Sequence, residues 1–183
     1  MPAEATQPTL RSPRLLLRPY VLADAPEVQR LAGDFRVADT TANIPHPYPD
    51  GAAQSWIASH AADYQSRTRV SFAVVLAADA QLLGTVGLHD ISAEHARAEL
   101  GYWIAVDHWA QGYGTEATQC LMRYAQQELA ITRIVARCLA RNPASARVME
   151  KAGLQREGLL RRHLLKRGQY EDMLLYGCNL AGR

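Results

Sequence analysis

The stretch Trp109–Ala117, WAQGYGTEA, sets two glycines around a tyrosine just ahead of an apolar helical stripe. A helix that begins there offers backbone N–H groups with no partner inside the helix. They sit at the positive end of the helix macrodipole, equivalent to about +0.5 charge. Gly112 and Gly114 carry no side chain, so an anion can come close to that backbone, and a pyrophosphate is the natural guest. The alternative is that the glycines only permit a sharp bend. Upstream, Glu99 interrupts the apolar segment RAELGYWIAV (Arg97–Val106). Read as a strand, it puts Glu99, Gly101, Trp103 and Ala105 on one face and Leu100, Tyr102 and Ile104 on the other. A carboxylate in such a segment is costly unless it is paired or used.

Two nucleotide-binding loops can be tested against the glycine turn. A P-loop needs G-x-x-x-x-G-K-[ST], and no such string occurs. The dinucleotide fingerprint G-x-G-x-x-[GA] does match, as Gly112–Ala117. That fingerprint belongs to a parallel βαβ unit with an acidic residue ending the next strand. Here short strands precede the turn, and the next strand ends LARN with no acid.

Other chemistries find little support. Cys120, Cys138 and Cys178 are far apart and form no CxxC, and the six histidines form no HExxH. No metal site and no disulfide framework is expected, and the thiols are read as reduced. His89-Asp90 at a strand end is read as surface. The net charge is +2, and the local basic cluster of Arg161-Arg162 and Lys166-Arg167 is read as solvated. A nucleic-acid binder would carry a broader basic stripe, so no nucleic-acid partner is expected. The opening MPAEATQPTLRSPR has no apolar core of a signal peptide, and no run reaches the ~18 apolar residues of a membrane span. A cytoplasmic protein with no membrane partner is expected.

The elements that must position these residues follow from periodicity. Residues 1–9 read as a flexible leader and 10–183 as one domain. RLLLRPY (Arg14–Tyr20) is a strand stopped by Pro19, followed by a short helix over about 24–32. The three prolines of TTANIPHPYPDG (Thr40–Gly51) make a loop. Ala53, Trp56, Ile57, Ala61 and Tyr64 mark one face of the helix that follows. The period then changes to two at Val70, Phe72, Val74 and Leu76. Short connections join this strand to QLLGTVGLHDI (Gln81–Ile91) and then to Arg97–Val106, which makes an antiparallel meander. After the turn, Ala117, Cys120, Leu121, Tyr124 and Ala125 form a helical stripe. RIVARCLA (Arg133–Ala140) is a strand. Asn142, Pro143 and Gly153 punctuate the next helix as N-cap, first residue and C-terminal stop. Two strands joined near KRGQ complete the order β-α-α-β-β-β-α-β-α-β-β. The fold class is α+β, a mixed domain with a central, mostly antiparallel twisted sheet flanked by helices.

Taken in order, RLLLRPY, AELGYWI, WAQGYGTEA, RNPASARVMEKAG and YEDMLLYG resemble the GNAT acyltransferase superfamily, in its RimJ/RimL-like N-acetyltransferase branch. The resemblance spans residues from about 10 to 180. It implies a single GNAT domain that transfers acetyl from acetyl-CoA, as co-substrate, to an amine. It implies that the pyrophosphate meets backbone amides of Gln111, Gly112, Tyr113, Gly114 and Thr115. Many members carry Arg or Gln where this chain has Trp109. It further implies that backbone groups of Trp103, Ile104 and Val106 bond the pantetheine amides, and that Asn142 touches the pantetheine arm besides capping its helix. Glu99 becomes the candidate general base, with burial expected to raise its pKa. Ser145, in the N-x-x-S spacing of the branch, becomes the candidate group facing the CoA sulfur. Glu116 is read as structural, since a carboxylate is favoured in a first helical turn.

The acceptor is less specified. The Pro-rich loop and the helix carrying Trp56 and Tyr64 are expected to shape its side. A protein N-terminus is the best-known acceptor of the branch, and small amines serve relatives; the assembly is expected to be a monomer or homodimer. A non-catalytic acyl-CoA-binding module and a dinucleotide-binding oxidoreductase are the alternatives.

Overall fold

The structure, a computed structural model, describes residues 6–180. Residues 1–5 of the expected leader lie outside it, and within the rest Gln7 Nε2 donates to Ser71 O at 2.8 Å. The chain forms β1 (Leu10–Arg11), β2 (Leu15–Arg18), α1 (Ala25–Ala32), α2 (Phe35–Thr40), α3 (Ala52–Gln65), β3 (Val70–Leu76), β4 (Leu82–Ser92), β5 (Arg97–Ile104), α4 (Tyr113–Glu128), β6 (Arg133–Leu139), α5 (Pro143–Ala152), β7 (Gln155–Lys166) and β8 (Gln169–Asn179). One eight-stranded sheet runs in the order β1-β2-β3-β4-β5-β6-β8-β7. Every neighbouring pair is antiparallel except β5–β6.

The expected mixed fold and its element order hold, with two additions. β1 is two residues long, too short to show alternation. α2 is six residues long and starts where the Asp34 side chain accepts the Arg36 N–H. Its sequence, FRVADT, is too short to establish a helical period.

Helices cover both faces of the sheet, which is why Val70–Val75 are buried without interruption. Leu100, Ile104, Leu121, Tyr124, Ala146 and Met149 belong to the core beneath α4 and α5. On the opposite face Val28, Ile57, Ala73 and Val75 form a second core beneath α1 and α3. The buried stripe of α3 is Ala53, Ile57 and His60, whereas the expected Ala61 is exposed.

The feature that makes a site is where pairing stops. β5 and β6 are joined only from Arg97–Leu100 to Arg133–Ala136. β5 continues to Ile104 without a partner on that side, while β6 stays paired with β8 as far as Leu139. A gap therefore opens between the two strands at Gly101–Ile104.

The β7–β8 hairpin is fastened to the opposite end of this opening. Lys166, read from sequence as solvated, donates Nζ to Ala38 O at 2.8 Å and Thr41 O at 2.6 Å. Two carbonyls near the end of α2 are thereby satisfied, and the loop behind them is held to the cleft rim.

Candidate active site

The glycine turn leaves the first N–H groups of α4 without helical partners. Ala110 and Gly112 both adopt left-handed φ, +58° and +83°. The first intrahelical bond of α4 runs from Glu116 N–H to Gly112 O at 3.0 Å, so the N–H groups of Tyr113, Gly114 and Thr115 have no helical acceptor. Glu116 fixes the turn from behind. Its carboxylate accepts from Ser12 Oγ (2.7 Å), Arg14 N–H (2.8 Å) and Arg14 Nε (2.7 Å). Burial pushes its pKa up, but these donors outweigh burial and hold it below the usual carboxylate value. Arg14 also donates to Gln111 O at 3.0 Å and lies over the Tyr113 ring. Arg123 and Lys151 border a shallow depression beside the turn. Neither stood out in the sequence, because each is one cation on an ordinary helix face.

Gly114 offers a direct test of the turn. A Cβ there would meet Val148, Ile104 and Tyr102 side-chain atoms at 3.6–3.7 Å, ordinary contact distances. Alanine therefore fits, while a branched side chain crowds the backbone. Gly114→Val is expected to weaken CoA binding at least tenfold, about 1.4 kcal/mol, with Gly114→Ala milder. Calorimetric titration with CoA checks this, and equal affinities in a folded Val variant would show that the turn does not carry the contact.

Trp109 takes a role invisible in the sequence. Its indole N–H donates to Ile104 O at 2.6 Å, and its backbone N–H donates to Val106 O at 3.1 Å. The turn is thereby tied to the end of β5. The carbonyls of Ile104 and Val106, both expected to serve pantetheine, each already hold one protein donor and keep a second lone pair. Asn142 caps α5 as expected, with Oδ1 accepting Ser145 N–H at 3.1 Å, and its Nδ2 donates to Thr40 O at 3.2 Å.

On the α5 face of β5, Tyr102 meets Ser145. The phenol oxygen lies 2.7 Å from Ser145 Oγ and donates to Ser145 O at 3.1 Å. Burial pushes the Tyr102 pKa far above that of a free phenol, so its proton is retained. Cys138 lines the same end of the cleft, its thiol likewise pushed up by burial. Strand alternation already set Tyr102 opposite Glu99; that it reaches a helix 43 residues later is a tertiary fact.

On the other face, Glu99 is 13% exposed and held by two bonds from Arg137, Nε to Oε1 and Nη2 to Oε2, both 2.8 Å. The surroundings expected from sequence are apolar; the immediate partner of this carboxylate is instead a guanidinium. Arg137 Nη1 donates a hydrogen bond to His163 Nε2 at 3.1 Å. Each Glu99 oxygen keeps a further lone pair for a proton or a water. His89, Asp90 and Glu99 come within 4.8 Å of one another, with Arg137 bonded to both Glu99 oxygens.

Glu99, Tyr102, Trp103 and Ser145 all line one cleft of about 690 Å³. Ile44, Pro45 and Tyr48 of the Pro-rich loop and Trp56 of α3 line it too. Tyr64 does not: its hydroxyl lies 3.3 Å from that of Tyr124, beneath α4. Among the described residues no helix is long and apolar enough to cross a membrane.

This arrangement has known counterparts. The profile of the Acetyltransferase (GNAT) domain matches residues 14–155. The uncharacterized N-acetyltransferase YoaA of Bacillus subtilis is 34% identical over 124 residues, 68% of this chain and 70% of that protein. The ribosomal-protein-serine acetyltransferase of Escherichia coli is 31% identical over 96 residues, 52% of this chain and 54% of that enzyme. Other curated relatives are likewise matched over 59%, 64% and 54% of their own length. Among solved structures, RimL, the ribosomal L7/L12 alpha-N-protein acetyltransferase with bound coenzyme A, superposes at a TM-score of 0.87. It is 18% identical, with 94% of this chain and 98% of that one covered. By profile and by sequence relatives, the chain belongs to the GNAT family of N-acetyltransferases, with relatives in the RimJ/RimL ribosomal-protein branch.

Proposed function

We propose that the protein transfers the acetyl group of acetyl-CoA directly to a primary amine, either a protein N-terminal α-amino group or a small amine. One observation carries this reading: the two candidate catalytic groups lie on opposite faces of β5, beside the gap where its pairing with β6 stops. The α4 N-terminus at Gly112–Thr115 takes the pyrophosphate, and the free edge of β5 guides the pantetheine arm, placing the thioester in the gap. The amine arrives from the Glu99 face. Its nitrogen bonds to the carbonyl carbon, the C–S bond breaks, and the thiolate leaves toward Ser145. Glu99 takes the amine proton directly or through a water. Ser145 donates a hydrogen bond toward sulfur, and the Tyr102 hydroxyl holds the serine hydroxyl in place. The free thiol pKa is about 8.5, so this last proton is a modest demand at neutral pH. Orientation and fixed dipoles supply much of the rate. The E. coli relative, named for acting on a ribosomal protein's serine, supports a peptide N-terminus as acceptor.

The test is thiol release from acetyl-CoA against a panel of N-terminal peptides and small amines. Acetyl-CoA should raise the melting temperature, as any native-state ligand does, and NADH should not. Absence of thiol release with every amine, together with no thermal shift, would overturn the reading. Ser145→Ala should lower kcat roughly threefold to tenfold, the scale of one neutral hydrogen bond of about 0.5–1.5 kcal/mol. Tyr102→Phe should act in the same direction, because the phenol oxygen 2.7 Å from Ser145 Oγ positions that hydroxyl. Stability loss without loss of turnover in Ser145→Ala would assign the serine to the helix end alone.

A further inference from the structure

The register of the meander shows how the acceptor half of the cleft is floored. Ser71 pairs with Gly87, and Gly87 with Gly101, so one row across β3, β4 and β5 carries a small hydroxyl and two glycines. A Cβ on Gly87 would lie 2.6 Å from Val70 O, so no side chain fits there without a backbone shift. A Cβ on Gly101 would meet only His89, at 3.5 Å and beyond. The floor is therefore low and open along a line that crosses the strands. Ile44, Pro45, Tyr48 and Trp56 form an apolar wall above it.

The adjacent row is charged. His89 pairs with Glu99, and Arg69, one residue before the Val70–Leu88 pair, stands abreast of His89. Arg137 reaches Glu99 from β6. The charged residues lining the whole cleft are Arg69, Glu99 and Arg137. Arg137 and Glu99 neutralise each other, and the exposed Asp90 carboxylate lies within 4.8 Å of Glu99 at the β5 end; the positive charge stands apart from them at Arg69, which is exposed and makes no side-chain hydrogen bond or ion pair among the described residues. A polycationic acceptor would meet this charge unfavourably.

Resting on the acetyl-transfer reading above, we propose that the preferred acceptor is an amine carrying an anionic group about 10 Å from the attacking nitrogen, with Arg69 as the partner of that anion. The span is the distance from β5 to β3, two strand spacings of ~4.8 Å. An extended peptide advances about 3.3–3.6 Å per residue, so a carboxylate on its third residue meets the requirement. A small amine with a carboxylate or phosphate at the same reach offers the same chemistry. The glycine row provides room for the chain in between.

The experiment measures kcat/KM by thiol release for peptides identical except for Asp, Asn or Lys at the third position, and for ω-amino acids and aminoalkyl phosphates of graded length. The wild type should favour Asp over Asn about tenfold and Lys least. Arg69→Glu should reverse the order of Asp and Lys, while the acetyl-CoA-induced thermal shift stays, showing that the variant is folded. If anionic small amines of the matching length surpass the Asp peptide, the anion comes from a small molecule; if the peptide wins, it comes from a polypeptide; both support the assignment. Equal kcat/KM across the charge series, or an order that Arg69→Glu leaves unchanged, overturns it while acetyl transfer itself stands. If no amine of any charge is acetylated, both fall together.

Discussion

Glu99→Gln should lower kcat about 100-fold, or about 2.7 kcal/mol in the barrier, the usual scale of acid–base assistance. The variant keeps the shape of the side chain and replaces a basic carboxylate by an amide that cannot take the amine proton. It also breaks the two-point pair with Arg137, and that confounds a single substitution. The pair supplies its own control. Arg137→Gln breaks the same ion pair and leaves the carboxylate in place. The pair is partly exposed, 33% at the arginine and 13% at the glutamate, so each variant should lose about 1 kcal/mol of stability or less. Only Glu99→Gln should lose the 100-fold in turnover. Acetyl-CoA affinity should be nearly unchanged in both, because the turn proposed to bind CoA lies past the far end of β5. Steady-state kinetics over neutral to alkaline pH decide the matter. Near wild-type turnover in Glu99→Gln would make the glutamate a structural anchor for Arg137. Equal losses in both variants would mean that the ion pair, rather than a proton acceptor, is what the reaction needs.

What the sequence made legible is what local physics governs. The β3–β4–β5 meander shows in period-two alternation and short connections. The ends of α5 show in Asn142, Pro143 and Gly153, and all three act where expected, with Gly153 at φ +102°. The α4 stripe from Ala117 to Ala125 is buried as read. The contacts that give the site its chemistry join elements distant in sequence, and no spacing announces them. Tyr102 to Ser145, Arg137 to Glu99 and Trp109 Nε1 to Ile104 O each combine a locally readable face with a partner that only the strand order supplies. The parallel direction of the β5–β6 pair follows from the crossover through α4; the point where it separates is set by the tertiary structure. Alternation within β6 does place Arg133, Val135 and Arg137 on one face, so an arginine facing the Glu99 side was implicit once that pairing was known. Glu99 therefore stood out as a carboxylate needing a use, while the guanidinium that meets it did not.

His60 is expected to make the protein acid-sensitive by up to about 3 kcal/mol. It is 6% exposed, and neither ring nitrogen has a hydrogen-bond partner. Its ring stands edge-on to Trp56, centroids 4.4 Å apart, with Tyr20 at 5.4 Å. Burial is the main cause that pushes its pKa down, to about 4; nearby Arg69 acts in the same direction and Asp63 opposes it. In the unfolded chain the pKa returns to about 6.5. Between these values the unfolded state binds a proton that the folded state refuses, so stability falls as pH is lowered from about 6.5 to about 4. At 1.36 kcal/mol per pH unit, that window corresponds to at most about 3 kcal/mol. His60→Phe keeps a ring against Trp56 and removes the proton. Denaturant unfolding of both proteins from neutral pH to about pH 4 should show the wild type losing more stability than the variant, by that amount. The carboxylates held low by Arg18 and Arg14, Asp24 and Glu116, also lose stabilisation as acid protonates them, but they do so equally in both proteins and cancel in the difference. Parallel profiles would mean that His60 binds its proton equally well folded and unfolded and contributes nothing to the acid sensitivity. Because Trp56 walls the acceptor half of the cleft and rests on this ring, charging His60 should loosen that wall first: kcat/KM for the acceptor should fall with acid before global unfolding begins, while the CoA turn, on the opposite face of the sheet, still binds.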